Sequence, residues 1–201
     1  ISTGDLNQKL VAYESTISTL YQLIDGTIDT KKLKEENYLS NYSQTILDPV
    51  VGKIAEETED CIGAYIAFDP KYTGTTEGIW VAVDNNGNAQ HSMPTEISGK
   101  SVDDPAASWY YEAIKAGKGS WSDPYRNNAD LDVLTYSKPI IVDGVSIGVM
   151  GVDLSADKVA KIVNDIKSHD SGYAFLLSKD HDYLVHPTLD SSNNLGVVDG
   201  G

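Results

Sequence analysis

The sequence contains little cysteine, little basic charge and no long apolar run. Its single cysteine, Cys61, excludes an internal disulfide framework and a cysteine-based metal site. Fifteen basic residues stand against 30 acidic ones, giving a net charge of −15, and a chain this acidic is a poor partner for nucleic acid. No apolar stretch approaches the roughly 20 residues that a membrane-spanning helix needs. Nucleic-acid binding and a membrane span within this chain are therefore excluded.

Phenylalanine is also scarce, with two residues, whereas the chain has 12 tyrosines and three tryptophans. Tyrosine combines an aromatic ring with a polar tip, so it suits pocket walls and half-buried surfaces. The 201 residues, 40% of them apolar, suffice for one large domain or for a medium and a small one. Because the chain begins at Ile1 and shows no signal peptide, we expect a piece of a longer protein whose membrane segments lie elsewhere.

The first 58 residues are predicted to be helical. One apolar stripe recurs at spacings of three and four, which is typical of a long amphipathic helix. Its members are Leu6, Leu10, Tyr13, Ile17, Leu20, Ile24 and Ile28. Because this stripe resembles a heptad seam, we predict that the helix pairs with a second copy of the chain, as a homodimer.

A second helical stretch is predicted after a break at residues 27–30. Its inner face is expected to contain Leu39, Tyr42, Ile46, Val50 and Ile54. Pro49 lies within this stretch, where it can kink the helix or mark its restart.

From Cys61 onward the pattern predicts strands. A strand at 63–69 is followed by a hairpin at 78–93, whose turn is signalled by Asn86-Gly87. A second hairpin is predicted at 132–154, around Asp143-Gly144.

Two short helices accompany these strands. Residues 109–118 form one, ended by Gly117, and residues 155–168 form the other, with Ser155 as N-cap. After this helix, residues 171–187 repeat the order of aromatic strand, polar turn and strand, and the tail reads as loop. We therefore predict a second module of the same type, present only in part.

Metal and catalytic motifs are weak. Asp84, Asn86 and Asn88 resemble the start of an EF-hand, but Ala89 and Thr95 occupy its glycine and glutamate positions, which favours a hairpin. His181 and His186 lie five apart on a predicted strand and point to opposite faces, so they cannot chelate one ion. The nucleophile-elbow, phosphate-loop and zinc-protease motifs are all missing. We expect no metal, no cofactor and no enzymatic activity.

The segment from Trp109 to Leu154 holds an unusual share of the aromatic residues. Trp109 and Trp121 can simply fill a core. Asp153, however, ends a nearly apolar strand, where a carboxylate either supports the next helix or anchors a ligand.

Four segments carry a resemblance to a known family. They are "AYIAFDPKYTGTTEGIWVAV", "WYYEAIKAGKGSWSDPY", "LTYSKPIIVDGVSIGVMGVDLS" and "GYAFLLSKDHDYLVHP". Together they resemble double-Cache domains, the extracytoplasmic sensor domains of bacterial and archaeal transmembrane receptors. The resemblance implies an α+β fold, in which a long N-terminal helix carries two PAS-like antiparallel-sheet modules, the second incomplete here.

The resemblance also implies a division of the chain. Residues 1–58 would form the helical stalk and 59–154 the membrane-distal, ligand-binding module. Residues 155–169 would form a connector helix and 170–201 the start of the membrane-proximal module.

The implied function is sensing of a small molecule by a chemotaxis receptor or a sensor histidine kinase, with this domain outside the cytoplasm and the whole protein anchored in the membrane. The alternatives are a ligand-free structural or protein-binding ectodomain and an enzyme. Residues after 201 would decide whether the output is a chemotaxis protein, a histidine kinase or a diguanylate cyclase.

By the same resemblance, one pocket holds the ligand. Its implied residues are Trp80, Trp109, Tyr110, Asp123, Tyr125, Arg126, Asn127 and Asp153. Amino-acid-binding members carry an arginine where this chain has Ala107, and an acidic residue where it has Asn127. The ligand class, whether amine, amino acid or organic acid, therefore stays open, and aromatic walls with Asp153 would suit an amine or a quaternary ammonium group.

Overall fold

The computed structural model describes residues 3–127, 130–166, 172–178 and 180–198. Its helices are α1 (Thr3–Thr27), α2 (Tyr38–Tyr42), α3 (Asp48–Glu57), α4 (Ser108–Ala116), α5 (Ala156–Asp165) and α6 (Leu195–Val198), with a π-helical segment at Ser43–Leu47 and a 3₁₀ turn at Pro105–Ala107. Its strands are β1 (Cys61–Phe68), β2 (Gly78–Val83), β3 (Ala89–His91), β4 (Ser120–Trp121), β5 (Tyr125–Arg126), β6 (Asp132–Val142), β7 (Val145–Ser155), β8 (Leu176–Leu177) and β9 (Tyr183–Val185).

Seven strands form one antiparallel sheet in the order β3-β2-β1-β7-β6-β4, and β5 also pairs with β6. The β6–β7 hairpin turns at Asp143 and Gly144, whose φ angles of 51° and 76° are those of a type I′ turn. In the β2–β3 hairpin, Asp84 accepts hydrogen bonds from the backbone of Asn86 and Asn88. Both predicted hairpins, and the predicted α+β class, are thus confirmed.

Helix α1 covers one face of this sheet. Its apolar residues Tyr13, Ile17, Leu20 and Ile24 are buried against the sheet's own side chains. A Thr27–Tyr42 hydroxyl contact of 2.7 Å ties the end of α1 to α2. Most of the stripe that suggested a seam between two copies is therefore covered within one chain.

The first part of the second helical stretch agrees with its prediction, since Leu39 and Tyr42 are buried, but the later part differs by one position. The structure buries Leu47, Val51 and Ala55, whereas the predicted Ile46 and its successors at 50 and 54 are only half-buried. Pro49 has no N–H to bond the carbonyl four residues back, and the turn before it widens into the π-helical segment. This widening adds one residue to the turn and rotates the following face by about 100°.

Strand β1 is buried on both sides. Its residues Ala64, Ile66 and Phe68 face the core beneath the helices α1 and α3, while Tyr65 and Ala67 face α4. Helix α4 ends at Gly117, which takes a left-handed φ of 64°. The face beneath α4 is the one that carries the aromatic residues.

After β7 the chain enters α5, where the Ser155 hydroxyl accepts a hydrogen bond from the Lys158 amide at 3.4 Å. This confirms the predicted N-cap; the helix ends at Asp165, and residues 167–168 of the predicted range lie outside the described residues. The strands β8 and β9 then pair antiparallel, as the strand-turn-strand pattern predicts. The proposed module boundaries remain predictions.

Two absences hold for the described ranges. No helix there combines the length and apolar character that crossing a membrane requires. The same residues contain no group of three histidine, cysteine or acidic side chains that could hold a metal ion.

We predict that Ser43→Ala stabilises the fold by about 1 kcal/mol. The Ser43 hydroxyl is buried in the π-helical segment and finds no hydrogen-bond partner among the described residues, so its removal relieves a desolvation cost. Urea denaturation measures the change. Ser15→Ala, at an exposed position of α1, is the control for alanine's higher helix propensity. A gain at position 43 no larger than that at position 15 would contradict the prediction.

Candidate functional site

A cavity of about 220 Å³ lies above the central strands, on the face that also carries α4. Two rows of cross-strand neighbours form the sheet surface at its floor, because residues paired across antiparallel strands share a face, and five of these eight residues line the cavity itself. The first row is Ala82, Gly63, Asp153 and Thr135, on β2, β1, β7 and β6. The second row is Trp80, Tyr65, Gly151 and Ser137, on the same strands.

The second row is a packed aromatic layer. The Tyr65 ring crosses over Gly151, where an added Cβ would lie 2.5 Å from the Tyr65 hydroxyl. This hydroxyl reaches the Ser137 hydroxyl at 2.8 Å. Trp109 meets the Tyr65 ring edge-on at 4.8 Å between centroids, and its indole N–H donates to the Ala106 carbonyl at 3.1 Å. These contacts fix a rigid aromatic wall beside the first row.

The first row holds the buried carboxylate. The Thr135 hydroxyl donates to Asp153 Oδ1 at 2.6 Å. Because its proton is used there, Thr135 accepts from the Tyr125 hydroxyl at 2.8 Å. The Asn127 side chain also hydrogen-bonds Asp153. Two neutral groups therefore hold this carboxylate, and Tyr125 supports one of them, Thr135.

Burial raises the pKa of Asp153 to about 6, although the hydrogen bonds from Thr135 and Asn127 oppose the rise. Asp153 keeps some accessible surface because it faces the cavity, but the surrounding protein removes most of its water. At neutral pH the carboxylate is charged at a cost in free energy, and a cation placed in the cavity would lower this cost.

The rim of the cavity carries a cation that is already paired. Arg126 Nε donates to Asp130 at 2.8 Å, and its Nη1 donates to Asp132 at 2.9 Å. Among the described lining residues, Arg126 is the only one with a positive charge, and these two carboxylates balance it. The apolar side chains of Met93 and Leu131, both exposed, lie at the same rim.

The structure brings together six of the eight residues that the resemblance implied. Trp80, Trp109, Tyr125, Arg126, Asn127 and Asp153 line the cavity. Tyr110 and Asp123 are not among the lining residues; Tyr110 is buried against Trp109. Ala107, which stands where amino-acid-binding members have arginine, is fully buried in the aromatic cluster beneath α4.

Sequence reasoning missed Gly63, Tyr65 and Thr135. Each lies on a strand whose position was predicted or nearly so. What was missing is the register, since only the pairing of Gly63 and Thr135 with Asp153 reveals that they are its neighbours. The two-residue alternation of a strand would have placed Gly63 and Tyr65 on the same face of the sheet, but it could not have decided which face that is.

A second cavity of about 550 Å³ adjoins the first and shares Ile62 and Leu131 with it. Its lining is acidic, but Asp60 binds Lys9 and Lys158 at 3.0 and 3.3 Å, and Asp132 binds Arg126. These carboxylates thus already have cationic partners, whereas Asp153 has none among the described residues, so the first cavity is the candidate site.

Residues 47–161 match the family model of the methyl-accepting chemotaxis protein-like first PDC sensor domain. This range contains the whole seven-stranded sheet and most of α5.

Curated relatives agree with this match. The methyl-accepting chemotaxis protein PscA of Pseudomonas syringae pv. tomato is 30% identical over 196 residues, which are 93% of this chain and 29% of the relative. The chemotaxis protein TlpB of Bacillus subtilis is 31% identical over 168 residues, 83% of this chain and 24% of the relative. The chain thus spans less than a third of the length of these relatives.

Solved structures support the fold. The ligand-binding domain of the Campylobacter jejuni chemoreceptor Tlp3, in complex with L-norvaline, is similar with a TM-score of 0.64 and 19% identity, covering 96% of this chain and 70% of that one. The extracellular domain of the putative histidine kinase soHK1S-Z6 is similar with a TM-score of 0.63 and 20% identity, covering 95% of this chain and 71% of that one. At these identities the similarity concerns the fold alone.

The resemblance to extracytoplasmic sensor domains is thereby confirmed. The chain belongs to the family of methyl-accepting chemotaxis protein-like first PDC sensor domains.

Proposed function

We propose that this sensor domain binds a small organic cation, an amine or a quaternary ammonium compound, in the cavity above Asp153. The observation that carries the proposal is the charge of the cavity: a buried carboxylate faces it, and the described lining offers no unpaired cation. The domain would face the outside of the cytoplasm as part of a longer, membrane-anchored receptor, and it would bind its ligand without converting it.

An amino acid or an organic acid fits this cavity less well. A ligand carboxylate would need a cationic partner, ordinarily a bidentate arginine. Position 107 holds a buried alanine, and Arg126 already directs its donors to Asp130 and Asp132. A second carboxylate beside Asp153 would therefore be repelled.

The walls favour the same ligand class. Trp80, Trp109 and Tyr125 surround the space near Asp153, and the faces of such rings attract cations by about 0.5–2 kcal/mol each. The volume of about 220 Å³ is below the roughly 300–1,000 Å³ of drug-sized sites, which limits the ligand to a small one.

A route for the signal leads from the cavity to the helices. Ser155, the N-cap of α5, lies two residues after Asp153, and Lys158 of that helix binds Asp60 at 3.3 Å. Asp60 also binds Lys9 on α1 at 3.0 Å. We propose that a ligand pulling on Asp153 moves α5 relative to α1, and that this displacement passes to a membrane-proximal module after residue 170.

A homodimer also remains a proposal. The stripe of α1 no longer supports it, because Ile17 and its neighbours are buried within one chain.

A function that competes with ligand sensing is that of a structural ectodomain without ligand. Binding of any small amine by the parent chain, lost on substitution of Asp153, would separate the two.

Asp153→Asn is expected to abolish amine binding while making the fold more stable at pH 7.5. The pKa of Asp153 is about 6 in the folded chain and 3.8 ordinarily. Above pH 6 the charged carboxylate therefore lowers the free energy of unfolding in full, and this loss disappears as the pH falls below 3.8. Asparagine removes this penalty, with a gain on the order of 1–3 kcal/mol.

The test is a thermal-shift screen of amines, in which a ligand at 100 times its Kd adds about 2.7 kcal/mol of stability. The control is Asp157→Asn, at an exposed position of α5. An Asp153→Asn chain that still binds the parent's ligand would show that the anchor has been assigned wrongly.

Affinity for the amine is expected to fall about tenfold between pH 7.5 and pH 5. Binding a cation requires the ionised carboxylate, and a group with a pKa of about 6 is only about one-tenth ionised at pH 5. Arg126 keeps its charge throughout, and burial raises the pKa of Tyr125, so neither titrates in this range. Calorimetry with a quaternary ammonium ligand, whose own charge is constant, measures the effect. An affinity that is unchanged or rises at pH 5 would contradict it.

The distance between α1 and α5 is expected to change when ligand binds. Spin labels at Ser15→Cys and Lys161→Cys, both exposed, report it, and Cys61 stays unlabelled because burial raises the pKa of its thiol to about 12. Asp60→Asn, which weakens the bridge to Lys9 and Lys158, should reduce the change without abolishing binding. Identical distance distributions with and without saturating ligand would rule out this route.

A further inference from the structure

We propose that Gly63 sets the size of the cationic group that the cavity accepts, because this group lies over Gly63 and Ala82 beside Asp153 Oδ2. The inference rests on the proposed binding of a cation and adds where its charged group lies and which residue limits it.

The two oxygens of the carboxylate have different surroundings. Oδ1 accepts the hydrogen bond from Thr135, on the β6 side. Oδ2 lies on the side of β1: a Cβ added to Gly63 would be 3.6 Å from Oδ2 and 4.0 Å from the Cβ of Asp153. The approach to the second oxygen therefore passes over the bare main chain of Gly63.

The space above Gly63 is not used for packing. Its paired neighbours in the first row are Asp153 and the small Ala82, and the atom nearest to an added Cβ is the Val81 carbonyl oxygen, at 3.1 Å. Gly63 has no left-handed φ, although the pairing of β1 with β7 shifts register between Cys61 and Gly63 and the Val81 carbonyl stands close to the position of an added Cβ. The missing side chain leaves a hollow that opens into the cavity.

Gly151, in the second row, provides the contrast. There an added Cβ would meet the Tyr65 hydroxyl at 2.5 Å and its ring at 2.6 Å, so that glycine exists to admit a ring of the protein itself. Above Gly63 the nearest side-chain atoms are those of Asp153, and no aromatic ring is among the three nearest atoms. One row of the floor is thus closed by an aromatic ring, and the other is open next to the charge.

The hollow has the surroundings that an ammonium group needs. Asp153 supplies the charge on one side, and the rings of Tyr65 and Trp80 border it from the second row. N-methyl groups on the cation would occupy the space that a Gly63 side chain would otherwise take. Even one methyl group at position 63 should therefore discriminate between cations by their degree of N-methylation.

The experiment uses propylamine and its mono-, di- and trimethylated forms, which share one tail and one charge. Calorimetry gives their affinities for the parent and for Gly63→Ala, with Gly26→Ala as the matched control, since nothing lies within 4 Å of a Cβ there. We expect the parent to accept all four. Gly63→Ala should lose more affinity with each N-methyl group. For the trimethyl compound the loss of affinity, relative to the loss for propylamine, should reach at least about tenfold, or 1.4 kcal/mol.

A second variant is needed in case Gly63→Ala disturbs the fold. The methyl group that Gly63→Ala adds requires β1 or β2 to shift by a few tenths of an ångström, away from the Val81 carbonyl. Ala82→Val narrows the same hollow from β2, and its losses of affinity should likewise increase from propylamine to the trimethyl compound. Circular dichroism and thermal unfolding verify the fold of each variant.

The outcomes separate the two proposals. If the parent binds the amines and Asp153→Asn does not, but neither Gly63→Ala nor Ala82→Val changes the selectivity, the placement over Gly63 is wrong and the cation site stands. If the parent binds none of the four, both the cation site and this placement are overturned.

Discussion

The burial of one carboxylate is the constraint on which the organisation of this domain depends. Asp153 occupies the centre of a sheet face, between β1 and β6, where water is largely excluded and its pKa rises to about 6. Such a group is tolerated only with hydrogen-bond donors around it, and Thr135 and Asn127 supply them. No cation among the described residues is paired with Asp153. The protein thus keeps a charged group at a free-energy cost that the proposed cationic ligand would offset, and this would give its binding part of the driving force.

The sheet can hold this site because its two faces have different tasks. One face buries Ile17, Ile66 and Met150 beneath helices, which supplies the apolar area that stabilises the fold. The opposite face is free to carry polar residues, small residues and aromatic rings around a cavity. Antiparallel pairing makes the division possible, since each strand sends alternate side chains to the two faces. Loss of Asp153 therefore need not disturb the core.

The sequence predicts local structure better than contacts between strands. Turn signals such as Asp143-Gly144 and the capping Ser155 depend on neighbouring residues, and they located the hairpins and α5 correctly. The inner face of the second helix was placed one position off, because a π turn before Pro49 alters the count. Gly63 was missed for a related reason: its importance comes from a distant partner on β7, Asp153, and register is a property of the assembled sheet.

The same carboxylate links binding to the rest of the chain. Ser155, the N-cap of α5, lies only two residues after Asp153, so a change in the position of β7 would reach that helix without an intervening loop. At the other end of the path, burial opposes the charge of Asp60, yet Lys9 and Lys158 keep its pKa below the ordinary value, so Asp60 stays ionised over the pH range in which Asp153 loses its charge. Lys9 and Asp60 are partly buried, and Lys158 is about half exposed. In the proposed route these pairs join α1 to α5, and a ligand would change the relation between the two helices only by its differential affinity for the two arrangements.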